Sequence, residues 1–364
     1  MNRRQFILSF VGCGLGMPFV QALQARDFDR AAALFTDSVE TGQVRGSVLL
    51  VRQGEQTSVH AVGEAKSRDA IFLLASISKP ISTAAFMTLY DRDEVRLDDP
   101  VVKFLPEFRS GGREEMTVKH LLTHTSGLPD QLPENALLRA RHAPLTDFIK
   151  GAIRTPLLFR PGTRYSYSSM GILVASEIAQ RLTGRDFAGF VDETVYQPLG
   201  MTRSAMGLGR LDAKFTQRCQ VEQAAPESGA GDPSARAWDW NSSYWRHLGA
   251  PWGGAHGSAV DVARFLHEFL HPSGKVLREE TARLMTRNHN SQGIRPRGLG
   301  FDLYPAIGLK QPSKAFGHTG STGTLCWADP GSDTICVVLT TLPARAVSPH
   351  PRDLASRIIA GAIR

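Results

Sequence analysis

Strand-like patterning in this chain is concentrated near its two ends, and that distribution narrows the possible folds more than any other feature. Residues 46–51 are apolar and β-branched, residues 57–62 alternate, and Gln53-Gly54-Glu55 supplies turn chemistry between them, so a hairpin is expected. Residues 316–328 and 333–341 predict a second hairpin around Asp329-Pro330-Gly331-Ser332-Asp333. Amphipathic spacing predicts helices over 28–41 and 352–363, outside the two hairpins. The intervening chain reads as helical at 76–90, 118–124, 145–153 and 171–182, the last closed by Gly184. The aromatic, irregular segment 236–252 reads as a loop over a cleft.

Strands at both ends must meet in one antiparallel sheet, because neither hairpin alone can bury an apolar face. The expected fold is therefore α+β, with three layers (α/β/α). Its antiparallel sheet is built from N- and C-terminal strands, flanked by helices, with a mainly helical lobe inserted at approximately 80–250. A ligand cleft is expected between lobe and sheet.

The composition, 42% hydrophobic and 21% charged, supplies a sizeable core for a 364-residue chain. The formal charge of +7 comes from scattered arginines with no dense basic run among aromatics, which argues against a nucleic-acid partner. Residues 1–25 read as an export signal: Arg3 and Arg4 precede an apolar stretch over 6–20, followed by small residues suited to cleavage. Arg3-Arg4-Gln5-Phe6-Ile7-Leu8 also resembles a twin-arginine signal, and Phe10-Val11-Gly12-Cys13 imperfectly matches a lipoprotein processing site. Cleavage, lipidation at Cys13 and a retained anchor stay open as fates of this leader. Residues 26–364 are expected to form one body, exported to the periplasm or outside the cell, with no membrane tie beyond the N-terminus. Cys326 and Cys336 flank the turn of the second hairpin, either as packing residues or as a cross-strand disulfide, and no cysteine spacing resembles a zinc site.

Three short motifs carry chemistry. In Ser76-Ile77-Ser78-Lys79 the first and last residues are three apart, so on a helix they share a face near its N-terminus. A neutral lysine there can take the serine proton, and N-terminal N–H groups favour the charge that develops during attack. In Tyr165-Ser166-Tyr167-Ser168-Ser169, just before a helix, a phenol can relay protons as phenolate or as neutral donor if nearby cations depress its pKa; Tyr165 and Tyr167 both stay open, with the spacing to the helix favouring Tyr167. In Gly317-His318-Thr319-Gly320-Ser321-Thr322-Gly323, glycines at the start of a late strand let backbone N–H groups approach a substrate.

In this order the motifs resemble those of the serine β-lactamase and penicillin-binding family. The similarity is to its branch of class C β-lactamases, D-Ala-D-Ala carboxypeptidases, D-aminopeptidases and family esterases, which reads Ser-x-x-Lys, Tyr-x-Asn, then Lys-Thr-Gly or His-Thr-Gly. Leu97-Asp98-Asp99-Pro100-Val101, Leu121-Leu122-Thr123-His124-Thr125-Ser126-Gly127-Leu128-Pro129, Pro161-Gly162-Thr163 and Gly253-Gly254 extend the resemblance over roughly residues 28–363. It implies a β-lactamase/transpeptidase-like fold and a serine hydrolase without metal or other cofactor. Ser76 would be acylated, Lys79 and Tyr167 would move the proton, and the backbone N–H groups of Ser76 and Ser321 would form the oxyanion hole. Ser169, His318, Thr319 and Gly320 would contact substrate, a small ester, a β-lactam or a D-amino-acid peptide.

Two positions depart from the family pattern. Ser169 stands where the pattern has Asn, removing an amide that contacts acyl-amide groups. His318 stands where β-lactamases of this branch carry Lys, so a carboxylate would be held less strongly. Esterase activity is therefore expected first, with D-Ala-D-Ala carboxypeptidase or D-aminopeptidase, and then β-lactamase, as alternatives. A receptor that is acylated without release is the rival of another class. His124 is read as structural. His256 and the aromatics of 238–252 are read as cleft lining or packing.

Overall fold

A computed structural model describes residues 23–303 and 314–363. Residues 1–22 of the expected leader, Cys13 among them, lie outside the described residues. Helix α1 (Ala25–Glu40) leads into β1 (Gly46–Gln53) and β2 (Gln56–Gly63), which pair from Gly46↔Gly63 to Gln53↔Gln56. Gly54, at φ 56°, makes the two-residue turn possible.

The chain then runs through β3 (Phe72–Leu73), α2 (Ser78–Asp91), α3 (Ser169–Thr183), β4 (Ala205–Met206), β5 (Ala255–Gly257) and α4 (Ala259–Leu270). It returns to the sheet as β6 (Asp302–Leu303), β7 (Phe316–Thr319), β8 (Leu325–Asp329) and β9 (Thr334–Thr340), and ends in α5 (Pro351–Ala362). The large sheet has the order β2-β1-β9-β8-β7-β6, with every pairing antiparallel, and β3-β5-β4 form a second, small sheet. The joint between distant chain segments is β1 against β9, from Ser47↔Thr340 to Gln53↔Thr334.

Alternation along the strands builds the three layers. Leu49 and Val51 of β1, Trp327 of β8 and Val338 of β9 face α1 and α5, where they meet Phe35, Ala355 and Ile359. Val48 and Leu50, Cys326 and Ala328, and Val337 and Leu339 face the larger core, shared with α4 and the inserted helices. The buried Trp327 indole donates to Ser356 Oγ at 2.9 Å, which fixes α5 to the sheet.

Two expectations are corrected, and one open alternative, that of the two cysteines, is decided. The stretch 316–328 is two strands, because Gly320–Thr324 folds into a turn: Gly323 N–H donates to Gly320 O and Gly320 N–H to Thr324 O. The aromatic stretch 236–252 holds a helix, Ser243–Leu248, capped by the Ser242 hydroxyl and closed by Gly249 at φ 64°. Cys326 and Cys336 form no disulfide: the register pairs Cys326 with Val337 and Trp327 with Cys336. An offset of one residue sends the two thiols to opposite faces of the sheet. Thiol titration of the denatured, unreduced protein is accordingly expected to find Cys219, Cys326 and Cys336 all reactive, with a melting temperature insensitive to reductant.

Candidate active site

Ser76 sits on a single 3₁₀ turn, Ala75–Ile77, just before α2. Ala75 holds φ 48°, a left-handed conformation that costs a non-glycine residue ~1–2 kcal/mol and persists only when surroundings impose it. Four hydroxyls impose it. Ser78 Oγ donates to Ala75 O at 2.6 Å and accepts from Ala255 N–H at 2.9 Å. Thr322 Oγ1 donates to Leu73 O at 2.7 Å, Thr324 Oγ1 to Leu74 O at 2.8 Å, and Ser82 Oγ to Pro251 O at 2.6 Å. The bend at residue 76 is thus stapled both to the β5 segment and to the β7–β8 turn. Within the described residues, the Ser76 and Ser321 backbone N–H groups donate to no backbone carbonyl.

Lys79 follows one turn later, fully buried, with Nζ 3.1 Å from Ser76 Oγ and 2.9 Å from Trp252 O. Burial pulls its pKa from 10.5 to about 7; the Asp130 charge opposes this shift and Arg297 adds to it. That displacement disfavours the ammonium by about 5 kcal/mol and leaves about half of the molecules with a neutral amine at pH 7.

Tyr167 reaches the same serine from the other side, its phenol hydrogen-bonded to Ser76 and its ring 4.7 Å from Lys79 Nζ. Of the two relay forms left open by the sequence, phenolate and neutral donor, this environment favours the second, because the nearby cations do not bring the phenol's pKa below its ordinary value. Burial drives the Tyr167 phenol well above its ordinary value, and Arg297 and the Ser76 hydrogen bond offset only part of that. Tyr167 is therefore a neutral donor at neutral pH, and Lys79 is the group able to accept a proton. Tyr165 lies instead against Arg295, whose guanidinium is 5.2 Å from its ring.

The tyrosine loop is held by the Thr-His-Thr-Ser-Gly segment. His124, at φ 59°, accepts from Ser166 N–H through its carbonyl at 2.9 Å and from Ser168 N–H through Nδ1 at 3.1 Å. Accepting at Nδ1 places the proton on Nε2, so the buried ring is neutral; it lies 4.6 Å from the Tyr167 ring. His124 thus belongs to the site as the support of Tyr167. His256 does not line the cleft, since its Nδ1 is 2.9 Å from Gly207 O inside the core.

His318, on β7, is buried, and its Nε2 lies 2.7 Å from Arg297 Nη2. A guanidinium can only donate, so Nε2 accepts and Nδ1–H donates to Thr319 O at 2.7 Å. Burial and the neighbouring Arg297 hold its pKa well below the ordinary histidine value. The fixed positive charge behind the strand is Arg297 itself, 1% exposed and 3.3 Å from Asp302. Sequence reasoning missed Arg297, Asp130 and the carbonyl of Trp252, because no local pattern ties isolated residues in loops to a serine 54 to 221 positions away.

Ser76, Tyr167, Ser169, His318, Thr319, Gly320 and Ser321 all line one cavity of about 390 Å³, together with Asp130, Arg297, Trp240, Trp245 and Trp252. Ser169 does not point free into it: its hydroxyl donates to Asp130 Oδ1 at 2.6 Å. The arrangement can take a proton from a serine hydroxyl and return one to a leaving group.

An antiparallel sheet between helical layers, with a serine, lysine and tyrosine converging in the cleft beside it, defines a class: acyl-transferring serine enzymes of the penicillin-recognising fold. The chain belongs to the beta-lactamase family, whose sequence pattern matches residues 31–360. It is 31% identical over 338 residues to Esterase EstB of Burkholderia gladioli, spanning 85% of this chain and 82% of that protein. Its fold matches a family VIII carboxylesterase with a TM-score of 0.75 at 19% identity, covering 95% of this chain and all (100%) of that one. A D-amino acid amidase from Ochrobactrum anthropi SV3, bound to D-phenylalanine, matches with a TM-score of 0.74 at 21% identity, over 93% of this chain and 99% of that one. Membership at this level supports an enzyme, a serine hydrolase acting on esters, amides or peptides.

The tight packing at the bend gives a structural prediction. A Cβ on Gly320 would lie 2.6 Å from Leu74 O and 3.1 Å from the Ala75 side chain. Gly320→Ala is expected to destabilise the fold by about 1–3 kcal/mol, read as a melting temperature lowered by several degrees.

Proposed function

We propose that the protein is an exported serine hydrolase that forms an acyl-enzyme at Ser76 and cleaves small esters or amides, esters foremost. The observation that carries this reading is the 3.1 Å approach of Ser76 Oγ to a lysine whose pKa burial has brought to about 7. Lys79 as the free amine accepts the Ser76 proton while Oγ attacks the substrate carbonyl. The N–H groups of Ser76 and Ser321 receive the developing oxyanion. Tyr167, protonated in the resting site, gives its proton to the departing oxygen or nitrogen and is reprotonated from Lys79, whose Nζ lies 4.7 Å from its ring. Water entering the vacated half of the cavity then releases the acyl group as an acid, with the same lysine receiving the water proton and passing it to Ser76 Oγ as that oxygen leaves. His318, Thr319 and Gly320 line the path of the substrate, and Arg297 fixes His318 in its neutral form.

Esters are placed first because the Ser169 hydroxyl, in the position of the family's asparagine, is already spent on Asp130 and offers no donor to an acyl-amide group. The relationship to an esterase points the same way. Export rests on the arginine-led apolar leader at residues 1–25.

Wild-type protein is expected to hydrolyse p-nitrophenyl butyrate and to be labelled by a fluorescent penicillin, with Ser76→Ala abolishing both. Acyl-protein mass that persists after substrate is exhausted would point to a receptor instead. A cephalosporin or D-Ala-D-Ala peptide consumed faster than the ester would reverse the substrate order. The kcat/KM of ester hydrolysis is expected to rise with pH through a midpoint near 7 and to fall away below it, as Lys79 becomes protonated. A rate flat from pH 6 to pH 9 would remove Lys79 from the role of base.

A further inference from the structure

A second cavity, of about 420 Å³, lies toward the β2 edge of the large sheet, the edge away from β7, and shares no lining residue with the cavity at Ser76. Its buried and half-buried walls are apolar: Leu50, Leu199, Val260 and Ala263. Four cations stand around them, Arg52, Arg68, Arg264 and Lys275. The fold brings these from four separate segments. Arg52 follows Leu50 along β1, and residues two apart in a strand share a face. Arg264 lies four residues past Val260 on α4, so those two share a helix face. Arg68 belongs to the stretch after β2, and Lys275 to the loop after α4.

The positive charge of this cavity is poorly compensated. Arg68 and Lys275 are exposed, and their side chains make no hydrogen bond or ion pair among the described residues. Arg52 commits Nε to Gly54 O at 2.8 Å and Nη2 to Glu55 at 3.3 Å, a carboxylate that is 96% exposed. Arg264 uses Nη1 alone, for Gly200 O at 2.7 Å and Asp261 at 2.9 Å. Each guanidinium therefore keeps N–H groups for a further acceptor. The one acid in the lining, Glu268, is 4% exposed and already satisfied. Its Oε2 accepts from Ser273 Oγ at 2.5 Å, and its Oε1 from the N–H groups of Ser273 and Lys275 at 3.3 and 3.1 Å. Like charges gathered around a concave, apolar wall repel one another and concentrate counter-ions, and a bound anion removes that repulsion.

We infer that this cavity is a binding site for a phosphomonoester with an apolar body. Arg68 and Lys275 hold the phosphate, with Arg52 and Arg264 beside them, and the body lies on Leu50, Leu199, Val260 and Ala263. Two uncommitted cations call for a dianion, which a phosphate monoester supplies near neutral pH and a single carboxylate does not. The guanidinium N–H groups also match phosphate oxygens in pairs. A soluble alkyl phosphate and the headgroup of phosphatidic acid present this same chemistry. The site is separate from the proposed acylation at Ser76 and does not depend on it.

The test titrates the protein with hexyl phosphate and with hexanoate by calorimetry at neutral pH. Hexyl phosphate is expected to bind saturably and ~10-fold or more tightly than hexanoate. Arg68→Ala/Lys275→Ala is expected to lose ~10-fold or more of that affinity, whereas Arg92→Ala/Arg357→Ala, which removes two exposed arginines from outside the cavity, keeps it. Both double variants are expected to melt with the wild type, because all four side chains are exposed. The cavity at Ser76 carries cations too, Arg345 among them, so affinity left intact in Arg68→Ala/Lys275→Ala would belong there and overturns the assignment. Equal affinity for hexanoate, or no saturable binding of hexyl phosphate, overturns it as well. Sedimentation with phosphatidylcholine vesicles only when they contain phosphatidic acid, lost in Arg68→Ala/Lys275→Ala, would make a lipid headgroup the source of the phosphate. Hexyl phosphate binding without such sedimentation would make the ligand a soluble ester.

Discussion

The geometry of the site depends on one strained residue and the hydroxyls that hold it. Ala75 occupies a left-handed conformation, and the turn it makes lifts Ser76 out of the line of α2 and into the cleft. The strain of ~1–2 kcal/mol is small beside the hydrogen bonds that surround it, each contributing ~1 kcal/mol net and costing more if left unmade in the interior. Those bonds come from Ser78, Thr322 and Thr324, so the segment before the serine is tied to two stretches about 180 and 250 positions further along the chain. A serine placed this way inherits the rigidity of the sheet rather than the mobility of a loop.

The second organising effect is desolvation. Lys79, Tyr167, His124 and His318 are buried together, and burial moves each toward its neutral form. The result is a site with an amine about half deprotonated at pH 7, a neutral phenol and two neutral imidazoles around a single serine. Arg297 remains the fixed cation, because a guanidinium keeps its proton where an ammonium or imidazolium does not. Its contact with His318 settles which imidazole nitrogen carries the proton, and its field limits how far the phenol of Tyr167 rises. The acid Asp130 opposes the same burial at Lys79. Two charges of opposite sign, Arg297 and Asp130, thus act on the buried cluster.

Much of this was legible from residue order. The hairpin of β1 and β2, the outer helices, and the pairing of a serine with a lysine three positions on follow from local periodicity and local spacing. The ordered motifs named the family, and the comparison over residues 31–360 agrees. The break between β7 and β8 was not legible, since a Gly-rich run inside an apolar stretch reads as flexible strand until Thr324 is seen to close the turn. Nor was the helix at Ser243–Leu248, whose aromatic residues mask a short amphipathic pattern that Ser242 and Gly249 delimit.

The sequence by itself determined which chemical groups were available and in which elements they would sit, because helix spacing, strand alternation and turn chemistry act over a few residues. The tertiary structure alone decided their protonation and their partners. Whether Tyr167 is a phenolate or a phenol, whether His318 carries charge, and whether Ser169 faces substrate or Asp130 depend on burial and on contacts across tens to hundreds of positions. The two thiols of Cys326 and Cys336 make the same point: ten residues apart around a turn, they are separated by the thickness of the sheet through a one-residue register offset. Long-range electrostatics and register are properties of the packed whole, and no local stretch of the chain encodes them.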